Sequence, residues 1–302
     1  MPLYTELRSP NVHEPKTIGE YADTVINYSG SATSIWAGGT YIMSRPDFYP
    51  SAATNVEIIN LKDIEELYRI QRNDRFSEIG AMVSLNDIAL LGNNIFPRSL
   101  IQAIESTACR MMRERISIGG TLCLKGLNSP LSSVLVLLDT AVEVVIPKRR
   151  NFTRRWMHAS RLYDKNGKFI LNTVFPNALV SKIRIIIQDF DFEYFSTAGK
   201  PVSNPDEAVS LAVVSKLDQN GLTSPRAIIT IPSMGYAYSK DIDTLLESMP
   251  LPANENSTKE LFKNIMAYIS DNLGPITPIQ EARLNGMMKD MVLSLNQNIL
   301  SL

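Results

Sequence analysis

Two glycine turns constrain this chain more than any other feature: Ala37-Gly38-Gly39-Thr40 and Ser117-Ile118-Gly119-Gly120-Thr121. Each follows an apolar stretch and presents main-chain N–H groups where a side chain would block a ligand. Glycine accepts positive φ and lets a phosphate approach the backbone closely. One such turn is weak evidence. Two of them, well separated in one chain, suggest a ligand whose pyrophosphate is held between two loops. Neither turn matches G-x-G-x-x-G or the P-loop pattern G-x-x-x-x-G-K-[ST], which disfavours both of those nucleotide-binding folds.

The 302 residues are enough for a large core, and two domains is the natural prior. With 44% hydrophobic and 20% charged residues, a folded globular protein is expected. A net charge of −1 gives no electrostatic reason to expect nucleic acid or an anionic membrane as partner. Cys109 and Cys123 are the sole cysteines. They are too few for a disulfide framework or an iron–sulfur cluster of the chain's own, and they fit a reducing compartment. His13 and His158 are the sole histidines, so a multi-histidine metal site is excluded by count and no metal site is expected. The N-terminal stretch lacks the basic-then-apolar pattern of a signal peptide, and no apolar run reaches membrane-span length. A cytoplasmic location is expected.

Thr17-x-x-Glu20 reads as a capping box, with Ile18, Tyr21, Ala22, Val25 and Ile26 on one helical face. Strands are expected at Ser34–Ala37, Val56–Asn60 and Phe76–Gly80. A short helix or turn follows Asp63, and Ser84 caps a helix. Residues 98–115 read as one helix, Ser132–Thr140 as a core segment, and Val142–Ile146 as a strand ending at Pro147. The run Lys148-Arg149-Arg150 with Arg154 and Arg155 reads as a solvated hairpin; the functional alternative is docking of an acidic partner or of nucleotide phosphates. A boundary is expected near Asn172–Ser181. Beyond it, Ile183–Ile187 and Phe192–Phe195 are β-rich, and Ala227–Ile231 is a strand. Ser203-Asn-Pro-Asp-Glu opens a helix over 205–215, Ser257-x-x-Glu260 caps another, and Thr277-Pro278 opens the last.

No Ser–His–Asp or Cys–His arrangement fits two histidines in these contexts. His158 reads as a surface residue and Cys123 as a small buried hydrophobe near the second turn. No carboxylate pair stands out as general acid and base. No catalytic residue is expected; the chemistry comes from a bound group, with the protein supplying position and electrostatics.

These residues resemble the flavoprotein (medium) subunit of the molybdenum hydroxylases, relatives of xanthine dehydrogenase and aerobic carbon monoxide dehydrogenase. The family's "A-G-G-T-D-L" is similar to Ala37-Gly38-Gly39-Thr40-Tyr41-Ile42. Its "I-G-A-x-(T/V)-(S/T)-L-x-(D/E)-I" resembles Ile79–Ile88, and its "(T/S)-(I/V)-G-G-N-L" with "L-L-A-L-D-A" resembles Ser117–Leu122 and Leu135–Thr140. The resemblance implies an α+β fold: a two-subdomain FAD-binding domain of the vanillyl-alcohol-oxidase-like type, then a smaller α/β C-terminal domain. The units would be residues 1–175, with subdomains about 1–55 and 56–175, and residues 176–302.

It further implies FAD as cofactor, its pyrophosphate cradled by Ile35, Trp36, Ala37, Gly38, Gly39, Thr40, Tyr41 and Ile42 and by Ser117, Ile118, Gly119, Gly120 and Thr121. Leu179 matches a leucine that touches the flavin ring, and Gly199-Lys200 falls where the family has a lysine. The implied activity is electron transfer from the iron–sulfur clusters of a two-[2Fe-2S] small subunit through FAD to NAD+ or another acceptor. Hydroxylation would occur on a molybdopterin-cofactor large subunit. Three polar positions depart from the family: Tyr41 replaces an aspartate, Thr121 an asparagine, and Pro130 an aspartate. Together these losses are worth about 2–4 kcal/mol, which weakens FAD without abolishing it. Asn128 and Ser129 are expected to substitute in part. The rival readings are a flavin-free scaffold subunit and an unrelated α/β ligand-binding protein.

Overall fold

A computed structural model describes residues 10–45, 56–164, 167–218 and 221–300. Three sheets organise it. The first is parallel, with β3 (Val56–Asn60) between β1 (Asn11–His13) and β2 (Ala32–Trp36). Helix α1 (Ile18–Asn27) connects β1 to β2. Thr17 Oγ1 accepts the Glu20 N–H, as its capping pattern predicts. The apolar face of α1 (Ile18, Tyr21, Val25) shares a cluster with Ile59 and Leu61 of the first sheet region and Val145 and Leu179 of the second sheet.

The second sheet is antiparallel, in the order β4 (Ile70–Arg72), β5 (Phe76–Gly80), β8 (Leu179–Ile186), β6 (Ala141–Lys148), β7 (Asn151–His158). Its inner face carries Ile79, Val142, Val144 and Ile183. These pack on α3 (Leu85–Leu91), α4 (Arg98–Thr107) and α7 (Pro130–Leu137). The third sheet is an antiparallel meander of β9 (Phe192–Lys200), β10 (Asn204–Asp218), β11 (Gly221–Ile231) and β12 (Gly235–Ala237). The short α8 (Leu171–Val174) precedes β8, and against one face of the third sheet lie α9 (Lys240–Glu247), α10 (Glu255–Asn272) and α11 (Pro278–Leu300).

Several expectations are corrected by these elements. The helix expected over 205–215 is strand β10. Val209, Leu211 and Val213 point to the cluster of the C-terminal helices, while Ala212 and Val214 join the core of the second sheet. A strand buried on both faces reads as a continuous apolar run. Its Pro-Asp-Glu segment forms the irregularity between Asn204 and Val209. There the Gln280 amide of α11 donates to the carbonyls of Pro205 (3.4 Å) and Ala208 (3.1 Å), and Arg283 donates to that of Glu207.

Residues 98–115 break at Ala108, whose extended φ of −164° separates α4 from α5 (Arg110–Arg113). The box capping α10 is Asn254 with Ser257, one turn before the expected pair. Strand β6 continues through Pro147, which pairs with Phe152. Pairing of β6 with β8 runs only from Ala141 to Val145, so no ladder bond is asked of the proline nitrogen. β3 pairs within the first sheet and β8 within the second.

Candidate functional site

The first turn leaves the sheet where β2 ends. Trp36 pairs with Asn60, and its carbonyl accepts the Leu61 N–H at 2.9 Å. Gly39 takes φ 69° and caps the five-residue helix α2 (Thr40–Ser44), a backbone conformation that a Cβ disfavours. Gly38 is required for a different reason. A Cβ there would lie 1.7 Å from the Arg115 carbonyl oxygen, so its bareness lets the approach to the second turn lie against the first.

The second turn is fixed by main-chain bonds to the segment after β5. Ile118 N–H donates to Val83 O (3.1 Å), Gly119 N–H to Ala81 O (2.9 Å), and Leu85 N–H to Ile116 O (2.9 Å). Ser117 caps α6 (Ile118–Leu122), its Oγ accepting the Gly120 N–H at 3.2 Å. Thr121 N–H donates to the Ser117 carbonyl at 3.1 Å. Every amide from Ile118 to Thr121 thus has a protein partner. Among the described residues, the N–H groups of Gly38, Gly39 and Thr40 have none. Two turns alike in sequence are unequal in chemistry: the first offers donors, the second offers a fixed wall.

Between them lies a cavity of about 390 Å³. Ile35, Ala37, Gly38, Gly39, Thr40, Tyr41, Ile42, Ser117, Gly120 and Thr121 all line it. The remaining expected residues lie elsewhere. The Trp36 ring sits under Gly39, where a Cβ would be 3.4 Å from it, and its Nε1 donates to Ser34 Oγ at 3.0 Å. Ile118 is fully buried in the core. Gly119 is pressed on Ala81, whose Cβ would be 2.5 Å from a Cβ at that position. Leu179 is buried in the α1 cluster, against which Ile35 and Ala37 also pack; it stands behind the wall rather than on it.

Sequence reasoning missed the far side of the cavity. Thr107, Ala108 and Met112 reach it from the α4–α5 break, and Thr197, Pro201 and Val202 from the end of β9. Gly199 lines it and Lys200 does not. The helix break was the one available signal, and the apolar periodicity masked it. Asn128 is also corrected: its N–H donates to Pro232 O at 3.0 Å, its side-chain amide lies against Pro232, Gly167 and Gly235, and it is not on the cavity wall. Ser129 and Pro130 are, with Ser129 Oγ accepting the Leu131 N–H at the start of α7. Cys123 lines the cavity as a neutral thiol, pushed up to about 12 by burial despite the opposing charge of Lys125.

Among the described residues, no lining residue carries a charged side chain. The polar groups on the wall are the Gly38–Thr40 amides and the hydroxyls of Thr40, Tyr41, Ser44, Ser106, Thr107, Ser117, Thr121, Ser129 and Thr197. A diphosphate fits this set, because consecutive amides form an anion-binding concavity and no carboxylate repels it. The basic run takes no part: Arg154 binds Glu66 (2.9 Å) and Glu143 (3.0 Å), and Arg155 lies over Phe175. A larger concavity of about 630 Å³ beside α9 is reached by neither turn. Of its charged side chains, Arg226 is engaged with Gln188, Asp243 with the Ala227 N–H and Lys216 with Asp191.

The family described as the FAD binding domain in molybdopterin dehydrogenase matches residues 6–185. No curated protein sequence matches the chain. Solved structures do. A carbon monoxide dehydrogenase from Hydrogenophaga pseudoflava, lacking the Mo-pyranopterin moiety, is 16% identical over 97% of this chain and 98% of that one, with a TM-score of 0.75. Quinoline 2-oxidoreductase from Pseudomonas putida 86 is 14% identical over 97% and 98%, with a TM-score of 0.73. Reconstituted CO dehydrogenase from Oligotropha carboxidovorans is 17% identical over 96% of each chain, with a TM-score of 0.72. These neighbours share the fold over nearly their whole matched chains, and the fold carries the cavity. The chain belongs to the family of the FAD-binding domain of molybdopterin dehydrogenases: it is an oxidoreductase subunit, and its cofactor is FAD.

Proposed function

We propose that the chain is the electron-transfer flavoprotein subunit of a molybdenum hydroxylase complex. It would receive electrons from a small subunit with two [2Fe-2S] clusters and deliver them to NAD+ or another acceptor, with substrate oxidised on a molybdopterin-cofactor large subunit. The observation that carries this reading is a cavity bounded by two glycine turns, with donors but, among the described residues, no charged side chain. Bound FAD supplies hydride and single-electron chemistry at its isoalloxazine. The chain's residues do the rest. The amides of Gly38, Gly39 and Thr40 would hold the diphosphate, and Leu124, Leu127 and Val202 would exclude water.

Two cysteines, one exposed and one on the cavity wall, supply no cluster ligands of the required number. That supports donation from a separate iron–sulfur subunit. The units in this reading follow the sheets: the first through Asn60, the second through Ile186, the third from Phe192.

The test is to purify the full chain, reconstitute it with FAD and titrate it anaerobically with NADH. Uptake of FAD with bleaching of its visible band by NADH supports an NAD-linked subunit. Bleaching by dithionite alone selects another acceptor. A chain that takes up no FAD overturns the reading.

A further inference from the structure

The Tyr41 hydroxyl donates to the Lys125 carbonyl oxygen at 2.9 Å. The two residues belong to opposite walls of the cavity. Tyr41 lies in α2, directly after the first glycine turn, and Lys125 lies in the loop between α6 and α7. Tyr41 itself lines the cavity, as do Leu124 and Leu127 on either side of Lys125. The bond therefore crosses from one wall to the other.

The walls also meet at Gly38, against the Arg115 carbonyl. That contact is main chain on main chain, and the strand-like pairing of residues 81–85 with 116–119 holds it. The Tyr41 link is of another kind. It is one side chain on a helix of five residues, none of them buried. Between the two links stand the amides of Gly38, Gly39 and Thr40, which have no partner among the described residues. Among the described residues, α2 follows directly on the diphosphate donors, and the Tyr41 hydroxyl ties it by a side-chain hydrogen bond to the 123–127 loop.

We propose that Tyr41 is a positioning residue for the cofactor, a clasp that holds α2 and the Gly38–Thr40 amides against the 123–127 loop over the bound dinucleotide. Release of the clasp opens the path by which FAD leaves. The proposal rests on the FAD reading above and adds to it the residue that sets retention.

Tyr41→Phe tests it, because the ring stays on the wall and keeps the Arg45 guanidinium over its face while the donor is lost. The full-length chain is loaded with FAD, and its release to an excess of the apoprotein of D-amino-acid oxidase, which takes up FAD, is followed by the oxidase activity recovered. The expected result is dissociation about threefold to tenfold faster, the range for loss of one net hydrogen bond. Association stays within about twofold, since encounter does not need the clasp closed. The melting temperature of the FAD-free chain is unchanged, and that of the loaded chain falls. Tyr41→Ala, which removes the wall as well, releases FAD faster still. Dissociation from Tyr41→Phe at the wild-type rate overturns the clasp. So does an equal fall in melting temperature with and without FAD, which is the mark of a merely structural bond. A wild-type chain that takes up no FAD overturns the FAD reading and the clasp together.

Discussion

At Gly38 the missing Cβ makes room for backbone rather than for phosphate. Gly38→Ala would bring a methyl to within 1.7 Å of the Arg115 oxygen, so the walls must part. Overpacking of this kind costs about 1–3 kcal/mol, and here the strain falls on the cavity itself. The expected outcome is a folded protein that loses most of its flavin on gel filtration, read as the ratio of visible to ultraviolet absorbance.

The thiols separate by environment in the same way. Burial holds the Cys123 pKa up at about 12, so at pH 8 it remains protonated and a poor nucleophile, while Cys109 is exposed. Ellman's reagent at pH 8 should titrate one thiol per native chain quickly, and the second only after denaturation.

Glycine content made both turns legible in the sequence. It did not reveal which amides were already engaged, because that depends on where the carbonyls of Ala81 and Val83 arrive after folding.

The elements divide along the same line. Caps are local, so Thr17 and Ser84 read correctly from the sequence: each side chain accepts the N–H three residues on. The seven β expectations from Ser34 to Ile231 all fall on strands, though β6 runs on past its expected end. β10 did not read correctly, because Asn-Pro-Asp-Glu before an apolar run mimics a capped helix. What decides it is the side chain of Gln280, buried in α11. Gln280 Oε1 accepts the Thr277 N–H at 3.0 Å while its amide serves the two carbonyls at the β10 irregularity. Gln280→Ala leaves these buried groups unpaired and should cost about 2–4 kcal/mol, with faster amide exchange concentrated around residues 204–209. A similar tertiary bond ends α4: the Arg113 guanidinium donates to the carbonyls of Glu105 (2.8 Å) and Ala108 (2.6 Å), which no periodicity in 98–115 foretells.

Across the whole molecule, α7 is the shared part. All of its residues are buried, and its cluster includes Ala212, Val214 and Ile228 of the third sheet as well as the second sheet's inner face. Two units with a common core should unfold together. Val214→Ala, which removes two buried methyl groups from that seam, is expected to cost about 2 kcal/mol. It should lower the midpoint of one transition common to tryptophan fluorescence and far-ultraviolet circular dichroism, and two separated transitions would refute the shared core. The antiparallel order of the third sheet and its seam with α7 were not readable from the chain.

The uncharged lining of the cavity has an ionic consequence. A protein that retains a phosphorylated ligand through lysines and arginines loses it as salt rises, since added ions screen the attraction. Here dipoles and hydroxyls replace such cations, and dipolar forces at contact range are hardly screened. The equilibrium constant for FAD should therefore stay nearly flat between 0.05 and 0.5 M potassium chloride, the concentrations at which a cation-lined pocket would empty.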